Sequence, residues 1–290
     1  MKRIPLLLAA LGVVSAAAYA APELTVTSVG QEVEIEHTLG TDDTTAWLYN
    51  NVGLAYGDWT FGLQAAKQWN YDNEDNLNAK GKPDPKGVTS NNSRVQFDSW
   101  KKINDNLKLG FRYRGQKNMD RFQVKYDFNY GMLWSAGDFW YQFNNGGNDD
   151  DNFEMEWFPV GLKYGAFKVG YFINYGEFFG DNGEGMESFT EHQIRAYADL
   201  YKTDKLTVFS ELRVTLEKEQ DMTKGQEYKT WDDFGRNRLY LGAKYNVTES
   251  LNVYGKYAYE LGDEITKDGT AENKHTKDYE ALIFGWSYSF

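Results

Sequence analysis

The chain has no cysteine, so it carries no disulfide framework, no thiol nucleophile and no thiolate metal ligand. It has three histidines, His37, His192 and His275, which leaves little imidazole for catalysis. No stretch reaches the ~18 consecutive apolar residues of a membrane helix. Basic residues are the minority: 31 Lys and Arg against 43 Asp and Glu give a formal net charge of −12, which argues against a nucleic-acid partner. The mean hydropathy of −0.67 would suit a soluble protein. What the chain does have is aromatics, 17% of all residues, and a period-two hydrophobic pattern.

That pattern is sharpest in the last segment. Leu282, Phe284, Trp286, Tyr288 and Phe290 alternate with Ile283, Gly285, Ser287 and Ser289. Five large apolar side chains on one face of a strand predict an apolar medium outside it. Lipid is such a medium, and strands survive in lipid only as a closed barrel without an unpaired edge. In a barrel, wet inward residues average out the hydropathy of lipid-facing ones, so the low mean is no objection. The terminal Phe290 also resembles the sorting signal of bacterial outer-membrane barrels. The opposite end of the chain agrees. Lys2 and Arg3, the apolar run Ile4 to Val14, and Ala18-Tyr19-Ala20 read as a secretory signal peptide over residues 1–20, cleaved to leave one domain over 21–290. Its loss would make the chain more acidic by two charges.

Alternating segments recur throughout. Trp59, Phe61, Leu63 and Ala65 follow a Gly57-Asp58 turn. Phe122, Val124, Tyr126, Phe128 and Tyr130 are opposed by Arg121, Gln123, Lys125, Asp127 and Asn129. Parity slips after Pro159, from Phe153, Met155 and Trp157 to Val160, Leu162 and Tyr164, which predicts a bulge there. Parity is also lost after Thr45. Residues 71–92, 218–233 and 261–277 read as long loops. The pattern predicts an all-β, antiparallel up-and-down barrel of about fourteen strands of roughly 9–12 residues, with both termini periplasmic. A soluble sandwich is disfavoured, because the face opposite the apolar one is charged along nearly its whole length.

Parity assigns to the inner face Glu34, Glu36, Arg112, Arg114, Arg121, Lys125, Asp127, Arg195, Asp199, Glu211, Arg213, Glu217, Arg238, Lys244, Lys256 and Glu260. So many charges of both signs are better solvated than buried in a dry core. The expected wall is that of a water-filled pore, with some ion pairing across it. Tyr197, Tyr201, Phe209, Tyr240 and Tyr254 also fall inward, either as a stacking track for sugars or as filling that narrows the pore.

Several segments then carry a resemblance. Phe189-Thr190-Glu191-His192-Gln193-Ile194-Arg195-Ala196-Tyr197, Asn237-Arg238-Leu239, Lys256-Tyr257-Ala258-Tyr259-Glu260 and Tyr288-Ser289-Phe290 are similar to the family of outer membrane porin G, monomeric channels of fourteen strands. Gly110-Phe111-Arg112 and Asn118-Met119-Asp120-Arg121 match as well. The resemblance implies that Arg94, Arg112, Arg121, Arg195, Arg213 and Arg238 form a ladder facing acidic residues across the pore, with Glu34 and Glu36 on the acidic side. It also implies pH gating at positions that fall near Asp233 and Glu264. Both are carboxylates here, which titrate near 4 rather than the ~6.5 of histidine, so near-neutral gating is expected to be weak or absent.

The functional expectation is an outer-membrane porin for passive diffusion of small hydrophilic solutes such as ions and mono- and oligosaccharides. Its acidic balance predicts mild cation enrichment at the mouths at low salt. The alternatives are a barrel hydrolase or an adhesin. No histidine falls beside a Ser or Asp pair that would activate a nucleophile, so no enzymatic role is expected. The loops are Gly- and Asp-rich with few apolar anchors, which suits mobile loops more than a docking surface. Asp149-Asp150-Asp151 is an acidic cluster whose spacing does not select calcium over solvation. No metal or cofactor is expected. Expected partners are outer-membrane lipid and lipopolysaccharide, the solutes themselves, and the barrel-assembly machinery through the Phe290 strand.

Overall fold

Alternation with one apolar face is satisfied by antiparallel strands, and these make up nearly all of the described chain. The computed structural model describes residues 22–38, 44–72, 87–145, 150–180, 186–222, 228–268, 271–276 and 278–290, with backbone alone at 72, 222, 228–233, 263–268 and 271–276. The strands are β1 (Thr25–Thr38), β2 (Thr44–Tyr56), β3 (Trp59–Asp72), β4 (Gly87–Lys102) and β5 (Leu107–Gln116). They continue as β6 (Met119–Tyr130), β7 (Leu133–Asn144), β8 (Asp151–Tyr164), β9 (Phe167–Phe179) and β10 (Met186–Lys202). The last are β11 (Leu206–Met222), β12 (Tyr228–Asn246), β13 (Leu251–Asp268), β14 (Ala271–Thr276) and β15 (Tyr279–Ser289).

Each strand from β1 to β13 pairs with its sequence neighbours, β15 pairs with β13, and β1 pairs with both β2 and β15. The ring therefore closes on fourteen strands, β1 to β13 and β15, and leaves no open sheet edge along it. Ser289 and Phe290 continue the closure by donating backbone N–H bonds to Ser250 and Thr27. β14 stands apart from the ring and extends the β13 hairpin, pairing Asp263–Asp268 with Ala271–Thr276.

Short turns at 57–58, 131–132 and 165–166 lie at one end of the ring, here the turn end, with positive φ at Gly57, Gly131 and Gly165. The longest connections lie at the other, the loop end, together with the two-residue β5–β6 turn at 117–118. Three segments read from sequence as loops are partly strand: residues 71–72 and 87–92 belong to β3 and β4, 218–222 and 228–233 to β11 and β12, and 261–268 with 271–276 to β13 and β14. These stretches lack apolar alternation in the sequence, yet backbone pairing keeps them extended. Strands accordingly reach 19 residues in β12, beyond the predicted length. The expected signal peptide lies outside the described residues.

The two faces separate as the terminal strand anticipates. Val124, Tyr130, Leu162, Tyr164, Phe167, Leu239, Leu282 and Phe284 are exposed on the outside. Aromatic contacts gather there too, as in Phe111, Tyr113 and Phe143 around Phe122. Such an outer face suits lipid and its aromatic interfaces. The bulge foreseen at Pro159 is present, with two residues of β8, Phe158 and Pro159, opposing Phe172 of β9.

Candidate functional site

Cross-strand partners point to the same side of a sheet, so the register converts strand position into rows of inward side chains. One such row runs Asn51, Gln64, Gln96, Arg114, Arg121, Gln142, Asn152. Another runs Arg195, Arg213, Arg238, Glu260, Tyr279. Glu34, Glu36, Arg94, Arg112, Glu211 and Lys256 also lie on inner rows.

Two residues assigned inward by parity lie outside instead. Leu216 is skipped in the β10–β11 ladder, so Glu217 pairs with His192 on the outer face and its carboxylate lies 3.8 Å from the His192 Nε2. Leu200 is skipped in the same ladder, so Tyr201 pairs with the outward Val208 and is 57% exposed. A bulge reverses every side chain beyond it, and an apolar bulge residue leaves no mark in the sequence. Lys218 takes the inward place opposite Glu191.

The arrangement of charge differs from a basic wall facing an acidic one. Arginines occupy two arcs, Arg94, Arg112, Arg114 and Arg121 on β4–β6, and Arg195, Arg213, Arg236 and Arg238 on β10–β12. Glu32, Glu34 and Glu36 on β1 lie between these arcs. Seven places round the ring, opposite β1, β8 carries Glu154 and Glu156. Basic therefore faces basic and acidic faces acidic.

The β10–β12 arc is internally neutralised. Buried Glu260 accepts from Arg236 Nε at 3.0 Å and Arg238 Nε at 2.5 Å. Glu191, 3% exposed, accepts from Arg236 Nη1 at 3.2 Å, and Glu211 accepts from Arg213 Nε at 2.5 Å. Arg195 instead donates to Gln193 at 2.7 Å and lies 3.3 Å from the ring centre of Phe172. The four arginines of this arc, with Glu191, Gln193 and Glu260, line a recess of about 130 Å³ in the wall together with Glu156, Asn174 and Thr215.

On β1 the acids are held by tyrosines rather than arginines. Tyr254, Tyr49 and Tyr279 donate their hydroxyls to Glu32, Glu34 and Glu36 at 2.6, 3.0 and 2.6 Å. The inward aromatics thus have polar duties. Tyr240 accepts from Arg238 Nη1 at 2.9 Å, and Tyr197 lies beneath Lys168. Phe209 packs on Gly242. They do not form a bare stacking track.

Aromatic side chains that the sequence did not single out also line this wall. Trp134 and Phe158 pack with ring centres 4.8 Å apart, and Phe158 and Phe172 at 4.9 Å. Trp134 lies flat over Gly161 and Gly170, where any Cβ would overlap its indole. Trp47 stacks on Tyr49, with the Arg94 guanidinium 4.5 Å above Trp47. The available signals were the parity slip after Pro159 and the glycines facing a tryptophan.

Of the expected gating residues, Asp233 lies in β12 and Glu264 in β13, where Glu264 pairs with Trp231. Both side chains lie outside the described residues, as does that of His275. His37 and His192 are on the outer face, bonded to Thr44 and Tyr171. In the acidic cluster, Asp149 lies outside the described residues and Asp151 caps the Asn144 N–H at 2.8 Å.

No protein-family model and no curated protein matches the chain. Solved structures do. A bacterial polysaccharide outer membrane secretin is 10% identical over 91% of this chain and 98% of its own, with a TM-score of 0.54. OccK3 (OpdO) of Pseudomonas aeruginosa is 11% identical over 91% and 96%, TM-score 0.44. Outer-membrane expressed OmpT of Vibrio cholerae is 14% identical over 94% and 99%, TM-score 0.47. At 10% identity the likeness to the secretin is one of fold, the closed antiparallel barrel of an outer-membrane protein.

Proposed function

We propose that the protein is an outer-membrane channel through which small hydrophilic solutes diffuse, one pore per chain, of the porin G type that its segments resemble. The observation that carries this reading is a closed fourteen-strand ring whose outer face is apolar and whose inner wall is lined with charge. Rings of eight strands are filled by their own side chains and rings of sixteen leave an aqueous channel. Fourteen strands place this ring toward the wide end of that range.

The turn end is assigned to the periplasm and the loop end to the outside, following the usual asymmetry of such barrels. A hydrolase needs a base held beside a nucleophile. The two histidines with described side chains are on the lipid side, which favours the channel over the enzyme. Planar-bilayer recording tests the reading: stepwise conductance supports it, and a silent bilayer refutes it.

A further inference from the structure

The two arginine arcs differ in one respect that bears on what enters the barrel. In the β10–β12 arc, Arg213, Arg236 and Arg238 each have a carboxylate within 4 Å. In the β4–β6 arc, Arg94, Arg114 and Arg121 have none among the described residues. Their hydrogen-bond partners are three neutral amides. Arg114 Nε donates to Gln96 Oε1 at 2.9 Å, and Arg121 Nε and Nη2 donate to Gln142 Oε1 at 3.0 and 2.5 Å. With its amide oxygen turned toward Arg94, Gln116 accepts from Nε and Nη2 at 3.2 Å.

No nearby acid bonds these three directly. Asp98 accepts from Arg112 at 2.6 Å and Lys125 at 3.2 Å, Asp138 lies 3.9 Å from Arg112, and Glu154, the acid whose charge acts most on Arg121, accepts from the Asn152 amide at 2.5 Å. Arg114 and Arg121 are direct cross-strand partners, and Arg94 is the diagonal neighbour of Arg114. Like charges so placed repel and cost stability. The amides fix the Nε edges and leave Nη1 and Nη2 of Arg114 and Nη1 of Arg121 without an acceptor among the described residues. Such forks match the oxygens of carboxylates and phosphates.

We infer that Arg94, Arg114 and Arg121 form a binding site for multivalent oxyanions, small solutes carrying two or more carboxylate or phosphate groups. The ligand would supply the directly bonded oxyanion that these three side chains lack among the described residues. This site rests on the channel reading for its access, but its test does not. Arg94 lies over Trp47 and Arg121 lies 4.8 Å from the Trp140 ring centre, so an anion seated on them perturbs tryptophan emission.

The whole protein in detergent micelles is titrated with citrate and, separately, with tripolyphosphate at fixed low ionic strength, with chloride as the control. The expected result is a saturable emission change with either anion, and affinity at least tenfold weaker in R94Q/R114Q/R121Q. Response to one anion alone identifies which oxygen chemistry the site takes. No saturable change with either anion, or equal affinity in the variant, overturns the site. If the triple variant does not fold, R114Q, which removes the central guanidinium and leaves both tryptophan stacks, replaces it under the same criterion, with at least threefold weakening expected. KCl conductance measured in parallel separates the two readings. A conducting protein blind to both anions loses the site and keeps the channel; a silent protein that binds them keeps the site and loses the channel.

Discussion

Arg114 and Arg121 stand directly opposite one another in the β5–β6 ladder, and neither has a carboxylate within 4 Å among the described residues. Their repulsion makes a simple prediction. Arg114→Gln removes one charge while keeping an amide beside Gln96, and is expected to leave the barrel as stable as before or more stable by about 0.2–1 kcal/mol. Urea unfolding in lipid vesicles, followed by tryptophan emission, measures it. A loss larger than about 1 kcal/mol would mean that the pair contributes to the fold.

Glu260 behaves in the opposite sense. It is 6% exposed and holds both Arg236 and Arg238. Glu260→Gln leaves two inward guanidiniums without their shared carboxylate, and a loss of about 3 kcal/mol is expected from breaking so buried a pair. The same urea assay reads it, and an unchanged midpoint would show that lumen water screens these charges fully.

Trp134 and Gly161 are coupled sterically. Gly161→Ala places a Cβ against the indole and is expected to cost about 1–3 kcal/mol by overpacking. In a Trp134→Ala background the same change should cost much less, so a double-mutant cycle gives a coupling of about 1 kcal/mol or more. Additive effects would mean that the indole does not lie on the wall as described.

The two histidines with described side chains face outward, bonded to Thr44 and Tyr171. Neither presents its ring to the lumen. Single-channel current is therefore expected to stay open as pH falls from about 7.5 to 5.5, the range in which an ordinary imidazole titrates. Reversible closure in that window would point to His275 or to carboxylates at the loop end.

Much of this was legible because lipid imposes a strict alternation. Leu282, Phe284, Trp286 and Tyr288 announce an outer face, and opposite parity then places Arg112, Arg195 and Glu260 inward. Pro159 marked its own bulge because proline cannot serve a ladder. Leu200 and Leu216 gave no such mark, since an apolar residue fits either face, and so Tyr201 and Glu217 were assigned to the wrong side. Trp47, Trp134, Phe158 and Phe172 were hidden for a related reason. Aromatic residues are expected at the lipid interface, and only the facing glycines and the register show these four turned inward. The distribution of charge into four arcs depends on ring closure, and no strand taken alone contains it.

The central claim, a water-filled pore through a closed fourteen-strand ring, is tested most directly by single-channel recording of the purified protein in a planar bilayer. The account predicts unitary steps that are ohmic and grow in proportion to KCl concentration, one step size per insertion without a three-level pattern. A protein that inserts, as shown by protease protection in the same lipid, yet carries no current would contradict it.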